Sequence, residues 1–332
     1  MGSVIHRARH GLICHEEQDQ TIGKSLRIYG EWAEEEIYFL SAFIDVGAVV
    51  LDIGTNVGTH AFAFSRFTGA RGLVIAIDAQ ERMHNLLVLS VALNAVDNIR
   101  CIRAIAGRKT GVCFVPPENH EARKDFGSVS YLDSSAKSNR GRGLIPVSMI
   151  TLDDLSLERC NLIKIDVEGM ELDVLLGAGE TIARHRPPIY FEQARKEYFA
   201  ETFEFFQRAD YSLFWHVSDP FNRNNFRRAL QKYFWRNERD QRRGDTARKS
   251  GTMATADGTA SINCRTALRP PAAATRLGYW MVASGSGPCT FSTSRRQSVG
   301  ETRRRNNIGY LKMTGYGMDY VEPCARNYGN GA

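Results

Sequence analysis

Five acidic side chains stand at or just past the ends of strand-length runs. Asp52 follows Val49-Val50-Leu51 and Asp78 follows Leu73-Val74-Ile75-Ala76-Ile77. Asp166 and Glu168 follow Leu162-Ile163-Lys164-Ile165, and Glu192 follows Ile189-Tyr190-Phe191. Carboxylates gathered at one sheet edge can bind a cation, accept the hydroxyls of a ribose, or take a proton from a hydroxyl nucleophile. The first of them opens the turn Asp52-Ile53-Gly54-Thr55-Asn56-Val57-Gly58-Thr59-His60, and a helical pattern of Ala61, Phe62, Phe64 and Phe67 comes next. A strand, a Gly/Asn-rich turn and a helix make a cradle for a nucleotide-like ligand at the carboxyl end of a parallel strand.

The chemistry of the turn narrows the ligand. A dinucleotide fingerprint has Gly-x-Gly-x-x-Gly, whose second glycine lets the backbone touch a pyrophosphate. Here Asn56 stands in that place between Gly54 and Gly58, and Asp52 puts negative charge where phosphate would be repelled. A cationic ligand without phosphate suits the cradle better, and S-adenosylmethionine, with its sulfonium and amino groups, is such a ligand. Asp78 supports the choice, because an acid about 20 residues past the Gly turn, at the end of the next strand, can accept both ribose hydroxyls. The plainer reading is that Asp52 and Asp78 cap the helices that follow them.

The elements that must position these groups alternate between strand and helix. A strand is expected over Ser25–Tyr29, and a helix over Trp32–Ile44 with Trp32, Ile37, Leu40 and Ile44 on one face. Further strands are expected at Val49–Asp52, Leu73–Asp78, Ile99–Ala104, Leu162–Asp166 and Ile189–Glu192, with a helix over Glu81–Leu93. The stripe Phe199, Phe203 and Phe206 reads as core. This alternation specifies an α/β fold, Rossmann-like and doubly wound, with a mostly parallel sheet and helices on both faces. Pro116 to Gly143, rich in Ser, Asn, Lys and Arg, reads as a long loop of the functional or mobile kind.

A third motif points to a named family. Asn161-Leu162-Ile163-Lys164-Ile165-Asp166-Val167-Glu168-Gly169-Met170-Glu171 runs into Leu172-Asp173-Val174-Leu175-Leu176-Gly177-Ala178. Val147-Ser148-Met149-Ile150-Thr151-Leu152-Asp153-Asp154 lies upstream and Arg186-Pro187-Pro188-Ile189-Tyr190-Phe191-Glu192 downstream. This set closely resembles the FkbM-type methyltransferase family, and Gly30-Glu31-Trp32-Ala33-Glu34-Glu35-Glu36-Ile37 resembles that family's lead-in helix. The resemblance runs from about Gly30 to about Phe226. It implies an S-adenosylmethionine-dependent O-methyltransferase of the class I fold, acting on a hydroxyl of a sugar, glycolipid or secondary metabolite. It also implies that Asp52, Gly54, Asn56, Gly58 and Asp78 bind the cofactor, with Asp166 near its methionine end. Gly127-Ser128-Val129-Ser130 resembles the family's Gly/Ser loop, which makes Ser128 and Ser130 candidate cofactor contacts. Glu168 is the first candidate for the base or for positioning the acceptor, ahead of Glu192 and His216. Glu168 reads equally as a helix N-terminal acid stabilised by the dipole, and His216 as a core histidine.

Composition sets the outer limits. Seven scattered cysteines, with no Cys-x-x-Cys pair, argue for reduced thiols and a cytoplasmic setting, and against a zinc site or disulfide framework. The first residues lack the apolar core of a signal peptide, and no apolar stretch reaches the roughly 18 residues of a membrane span. A soluble protein without a membrane span is expected.

The charge is divided unevenly. Residues 237–332 hold 15 Lys and Arg against 7 Asp and Glu, while residues 1–236 hold 28 against 30. The whole excess of positive charge therefore sits in the last 96 residues, where only 9 are Leu, Ile, Val or Phe. That is well under the roughly 20% below which chains tend to stay disordered. The expected organisation is a loose leader over 1–22, a methyltransferase domain over 23–236, and a basic tail over 237–332 that is disordered or aberrant. In the family's fold the last strand enters the sheet antiparallel. Tyr211–Ser218 fits the first strand of that closing pair, and Leu277–Val282 is the one candidate for the second, about fifty residues late. Two rival functions follow from other features. A nicotinamide-dependent oxidoreductase would share the fold but is disfavoured by Asn56 and the missing third glycine. A nucleic-acid partner would use the tail but is disfavoured by the slightly acidic catalytic half.

Overall fold

The computed structural model describes residues 2–115, 144–192, 198–230, 277–284, 310–314 and 317–321, the last three stretches by their backbone alone. Strands β1 (Ser3–Ala8) and β2 (Gly11–Glu16) lead to helices α1 (Ile22–Ile28) and α2 (Glu34–Leu40). The central run is β3 (Val49–Ile53), α3 (Thr59–Thr68), β4 (Leu73–Asp78), α4 (Glu81–Leu93) and β5 (Ile99–Arg103). A small sheet of β6 (Ile105–Ala106), β7 (Gly111–Val115) and β8 (Ile145–Ile150) follows. Then come β9 (Leu162–Ile165), α5 (Glu171–Leu176), α6 (Gly179–His185), β10 (Ile189–Glu192), α7 (Phe199–Arg208) and β11 (Tyr211–Ser218). Three further strands are β12 (Leu277–Ser284), β13 (Tyr310–Thr314) and β14 (Gly317–Val321).

The main sheet has the order β14-β13-β11-β12-β10-β9-β3-β4-β5. From β10 to β5 its five strands are parallel. The chain leaves β3 toward β4 and β5 on one side and later returns to place β9 on the other. That reversal makes a crevice at the carboxyl ends of β3 and β9, where ligands of such sheets bind. Period-two alternation sends each strand's side chains to two separate cores. Val50, Val74, Ala76, Leu162 and Tyr190 face α2, α3 and α4, packing with Phe39, Leu40, Phe62, Phe64 and Leu87. Leu51, Ile53, Ile75, Ile77, Ile163, Ile165 and Phe191 face α5, α6 and α7, packing with Val174, Ile182 and Phe206. With both faces covered, all five residues of β3 are buried, which is why these strands read as near-continuous apolar runs.

Several expectations meet a different structure. Ser25–Tyr29 is not a strand; it lies in and just after α1, because the Asp19 carboxylate accepts the N–H groups of Thr21 and Gly23, both at 2.8 Å, and caps the helix start. The expected helix over Trp32–Ile44 is confined to α2 and a 3-10 turn, Ser41–Phe43. Within residues 1–22, β1 and β2 form an antiparallel hairpin. Ser90 Oγ on α4 accepts the Cys14 N–H at 2.8 Å, and Asn94 Oδ1 accepts that of Leu12. The Phe206 ring of the aromatic stripe is fully buried and stacks on Phe191 at 5.2 Å.

The antiparallel strand is Leu277–Ser284. It lies between β10 and β11, with Glu192 opposite Tyr279, Ile189 opposite Val282, and Tyr211 opposite Ser284. Beyond β11, β13 and β14 extend the sheet. These three strands are the described part of residues 237–332. Pro116 to Gly143, with Ser128 and Ser130, lies outside the described residues.

Candidate active site

Strand register assembles the site in two rows on the face toward α2 and α3. Asp52 stands opposite Lys164, and Lys164 opposite Tyr190, so β3, β9 and β10 set three polar side chains side by side. One pleat further, Gly54, Asp166 and Glu192 extend the same strands, since Ile53 pairs with Ile165 and Ile165 with Phe191. Asp52 is fully buried and Lys164 only 2% exposed. The Lys164 ammonium lies 3.5 Å from Asp52 Oδ1 and donates to Asp166 Oδ2 at 3.3 Å. The Glu192 carboxyl lies in the same crowded group of acids as that of Asp166.

The turn after β3 is built by its backbone. Gly54 has φ +75°, and a Cβ there would sit 1.7 Å from the Asp166 carbonyl oxygen, so only glycine lets the two strand ends close together. Asn56 has φ +52°, in the left-handed region that Asn tolerates, and its Oδ1 accepts the Val57 N–H at 2.8 Å. Thr55 Oγ1 donates to Asp52 Oδ2 at 2.8 Å, tying the turn to the first row. Asp78 closes the turn from β4: its Oδ2 accepts the Asn56 N–H at 2.8 Å and its Oδ1 the Gln80 N–H at 2.9 Å. A carboxylate has about four acceptor positions, so these two bonds fix its plane and leave its chemistry suited to a diol.

Electrostatics follow from burial and crowding. Burial alone would push the Lys164 ammonium down, but Asp166, Asp52 and Glu36 override it and hold it above the usual lysine range. Burial pushes the Glu192 carboxyl well up, and Asp166, Glu168 and Glu36 push the same way. The Tyr190 phenol is raised by burial and then by Glu36, Asp166, Glu192 and Glu35, so it keeps its proton, and its hydroxyl shares a 2.8 Å hydrogen bond with His216 Nδ1. Burial lowers His216 against the opposing pull of Glu36, and its ring stacks on Phe39 with centroids 4.3 Å apart.

The structure thus brings Asp52, Asp166 and Glu192 into one cluster, and joins Asn56 to Asp78. Glu168 lies on the turn beside them with φ +50°, an uncommon conformation for a non-glycine residue. His216 is one step away, through Tyr190. Sequence reasoning missed Lys164, Tyr190, Glu36 and His60. Glu36 is fully buried; Ser218 Oγ donates to its Oε1 at 2.5 Å, and His60 Nε2 lies 3.5 Å from its Oε2. Two signals were available. Lys164 interrupts an otherwise apolar strand, and Glu36 shares a helix face with Leu40 four residues on.

A doubly wound sheet with an acid-lined crevice at its switch point and a Gly54–Gly58 turn is the arrangement of a Rossmann-like, class I methyltransferase. Residues 52–213 match the model of the methyltransferase FkbM domain, and this stretch is such a domain. The cofactor of this class is S-adenosylmethionine. The donor set fits it: carboxylates for its cationic groups, Asp78 for its ribose, and no basic side chain at the turn to call for phosphate.

Among solved structures, the chain is similar to a methyltransferase FkbM from Methylobacillus flagellatus at 19% identity and a TM-score of 0.37, over 53% of this chain and 41% of that one. It therefore spans well under half the length of that protein. A SAM-dependent methyltransferase from Aquifex aeolicus is similar at 15% identity and a TM-score of 0.32, over 57% of this chain and 84% of that one. Fibrillarin from Aeropyrum pernix, in complex with S-adenosyl-L-methionine, is similar at 13% identity and a TM-score of 0.35, over 68% of this chain and 96% of that one. No curated protein matches. Among the described residues there is no helix long and apolar enough to cross a membrane and no metal-holding group of His, Cys, Asp or Glu.

Proposed function

We propose that the protein is an O-methyltransferase whose acceptor is a hydroxyl on a small molecule or carbohydrate, in the class of sugars, glycolipids and secondary metabolites. The observation that carries this reading is the acid-rich second row beside a phosphate-averse turn. S-adenosylmethionine supplies the methyl group and the positive sulfur. Asp78 holds the ribose, the Gly54–Gly58 backbone shapes the wall, and Asp52 acts through Thr55 and Lys164 to keep turn and crevice in place. Ser128 and Ser130 are retained as cofactor contacts by family resemblance alone.

The rate gain from such a site comes chiefly from holding the acceptor oxygen in line behind the methyl carbon. A hydroxyl is a weak nucleophile, so a nearby group must take its proton. Glu168 is assigned that role because its turn sets a half-exposed carboxylate beside Asp166. Glu192 and His216 come second, Glu192 being crowded by neighbouring acids and His216 engaged with Tyr190. A cytoplasmic setting agrees with the free thiols of Cys14, Cys101, Cys113 and Cys160.

Calorimetric titration with S-adenosylhomocysteine tests the cofactor site. Asp78→Ala should weaken binding about a hundredfold, the loss expected for two charge-assisted hydrogen bonds. Unchanged affinity in the variant, or no binding by a cooperatively folded wild type, would overturn the assignment. Screening hydroxylated sugars and metabolites for methyl uptake then tests the acceptor class.

A further inference from the structure

The N-terminal hairpin carries a histidine pair that the crevice does not use. His6 on β1 and His15 on β2 stack with ring centroids 5.0 Å apart, and His6 Nδ1 lies 2.9 Å from His15 Nε2. His15 is fully buried and His6 half-buried. On its other side His15 Nδ1 lies 2.8 Å from the Glu16 carbonyl oxygen. A carbonyl only accepts, so His15 Nδ1 carries a proton. In the neutral ring Nε2 then accepts, and His6 Nδ1 must donate to it. The bond tolerates one extra proton on the pair, carried by either ring. It does not tolerate two, because two N–H groups would then face each other across 2.9 Å. The packing leaves little room to move apart: a Cβ on Gly23 of α1 would meet His15 Nδ1 at 2.7 Å.

The charged groups around the pair oppose a second proton. Arg27 of α1 donates to the Asp19 carbonyl at 2.8 Å, and Arg227, from the stretch after β11, donates to the Arg7 carbonyl at 3.2 Å. The Glu16 carboxylate is taken by Arg82 of α4, and the Asp19 carboxylate caps α1. Burial, ahead of His6 and Arg27, pushes the His15 ring down to about 4 against the weaker pull of Glu16, and burial, Arg227 and Arg27 lower His6. We propose that the His6–His15 pair is a proton-operated latch: the β1–β2 hairpin stays docked on α1 and α4 while the pair holds at most one extra proton, and is released when acid loads both rings. What the latch holds is the outer side of α4. Besides the Glu16–Arg82 contact, the Leu12 and Cys14 N–H groups are bonded to Asn94 and Ser90 of that helix. Release therefore strips partners from the helix that starts one residue after Gln80, whose N–H is held by Asp78.

The test is amide hydrogen exchange of the full chain as pH is lowered, corrected for the intrinsic pH dependence of exchange. The Leu12 and Cys14 amides report docking, since their acceptors lie on α4. Docking is at full strength above 6.5, the ordinary histidine value, and weakens as pH falls toward about 4, where the docked ring itself takes a proton. Within that window the released hairpin binds one more proton than the docked one, so hairpin protection should fall about tenfold per pH unit. The amides of β3 and β4 should keep theirs. His15→Gln retains a donor for the Glu16 carbonyl and an acceptor for His6, and should flatten the response. Hairpin protection that stays constant through the window, or falls only in step with β3 and β4, would overturn the proposal. A His15→Gln variant with the wild-type slope would do the same. The wild-type profile decides the matter even if His15→Gln fails to dock the hairpin.

Discussion

The turn after β3 and the polar row behind it occupy neighbouring positions on the same strands, yet they are held by different physics. The turn is a matter of sterics: Gly54 is there because nothing larger fits against the Asp166 carbonyl. The row is a matter of charge: Asp52, Lys164 and Asp166 are tolerated inside the sheet only because each neutralises another. A steric site fails at one position and is indifferent to its neighbours' charge. A charge-paired site fails when one member is removed and recovers in part when a second is neutralised.

The largest effect is expected at Gly54. Gly54→Ala combines a φ of +75° with a Cβ 1.7 Å from a backbone oxygen, far inside van der Waals contact. It should fall in the range above about 4 kcal/mol that marks a diagnostic loss, seen as the absence of a cooperative melt. Retained cooperative unfolding would show that β3 and β9 can separate at the crevice, and the steric account would be wrong.

Next comes Lys164→Met, which leaves two carboxylates without their counter-ion. Breaking a buried pair by removing one partner costs about 3–5 kcal/mol, measured here by denaturant unfolding. Adding Asp52→Asn to that variant should recover part of the loss, because the buried charge then has no need of compensation. If the double variant is no more stable than Lys164→Met alone, the row is held by packing and the comparison with the turn collapses.

The same contrast explains what could be read in advance. Gly54, Asn56, Gly58 and Asp78 announce themselves because local backbone requirements are written in local residue types: glycine at positive φ, an acid at a strand tip. The parallel strands were equally legible, since burial on both faces forces unbroken Val, Ile and Leu. The row was not legible as a row. Asp52 and Lys164 are 112 residues apart in the chain, and only strand register, fixed by the whole sheet, places them opposite each other. Lys164 inside Leu-Ile-Lys-Ile was the visible symptom, a charge in an all-buried strand that required a partner. Ser25–Tyr29 failed for the opposite reason. Its strand-like residues lost to a cap supplied by Asp19, upstream of the segment being read. The antiparallel strand β12 was hard to place because a long intervening stretch separates it from β11, and chain distance says nothing about sheet order.

The smallest effect is expected at Asn56, where the steric account makes its finest claim. Asn56→Gly removes the 2.8 Å bond from Val57 N–H to Asn56 Oδ1, worth about 1 kcal/mol net. It also relieves the cost of a side chain at φ +52°, while adding the unfolded-state entropy of glycine. These contributions oppose one another, so stability should change by no more than about 1 kcal/mol. The bond that matters for the ligand, Asn56 N–H to Asp78, comes from the backbone and survives the substitution. Affinity for S-adenosylhomocysteine should therefore stay within about tenfold of wild type. Asn56→Val forces a β-branched residue into the same left-handed conformation and should lose considerably more of both. Should the glycine and valine variants behave alike, the Asn56 side chain, and not the backbone path, would be what the crevice depends on.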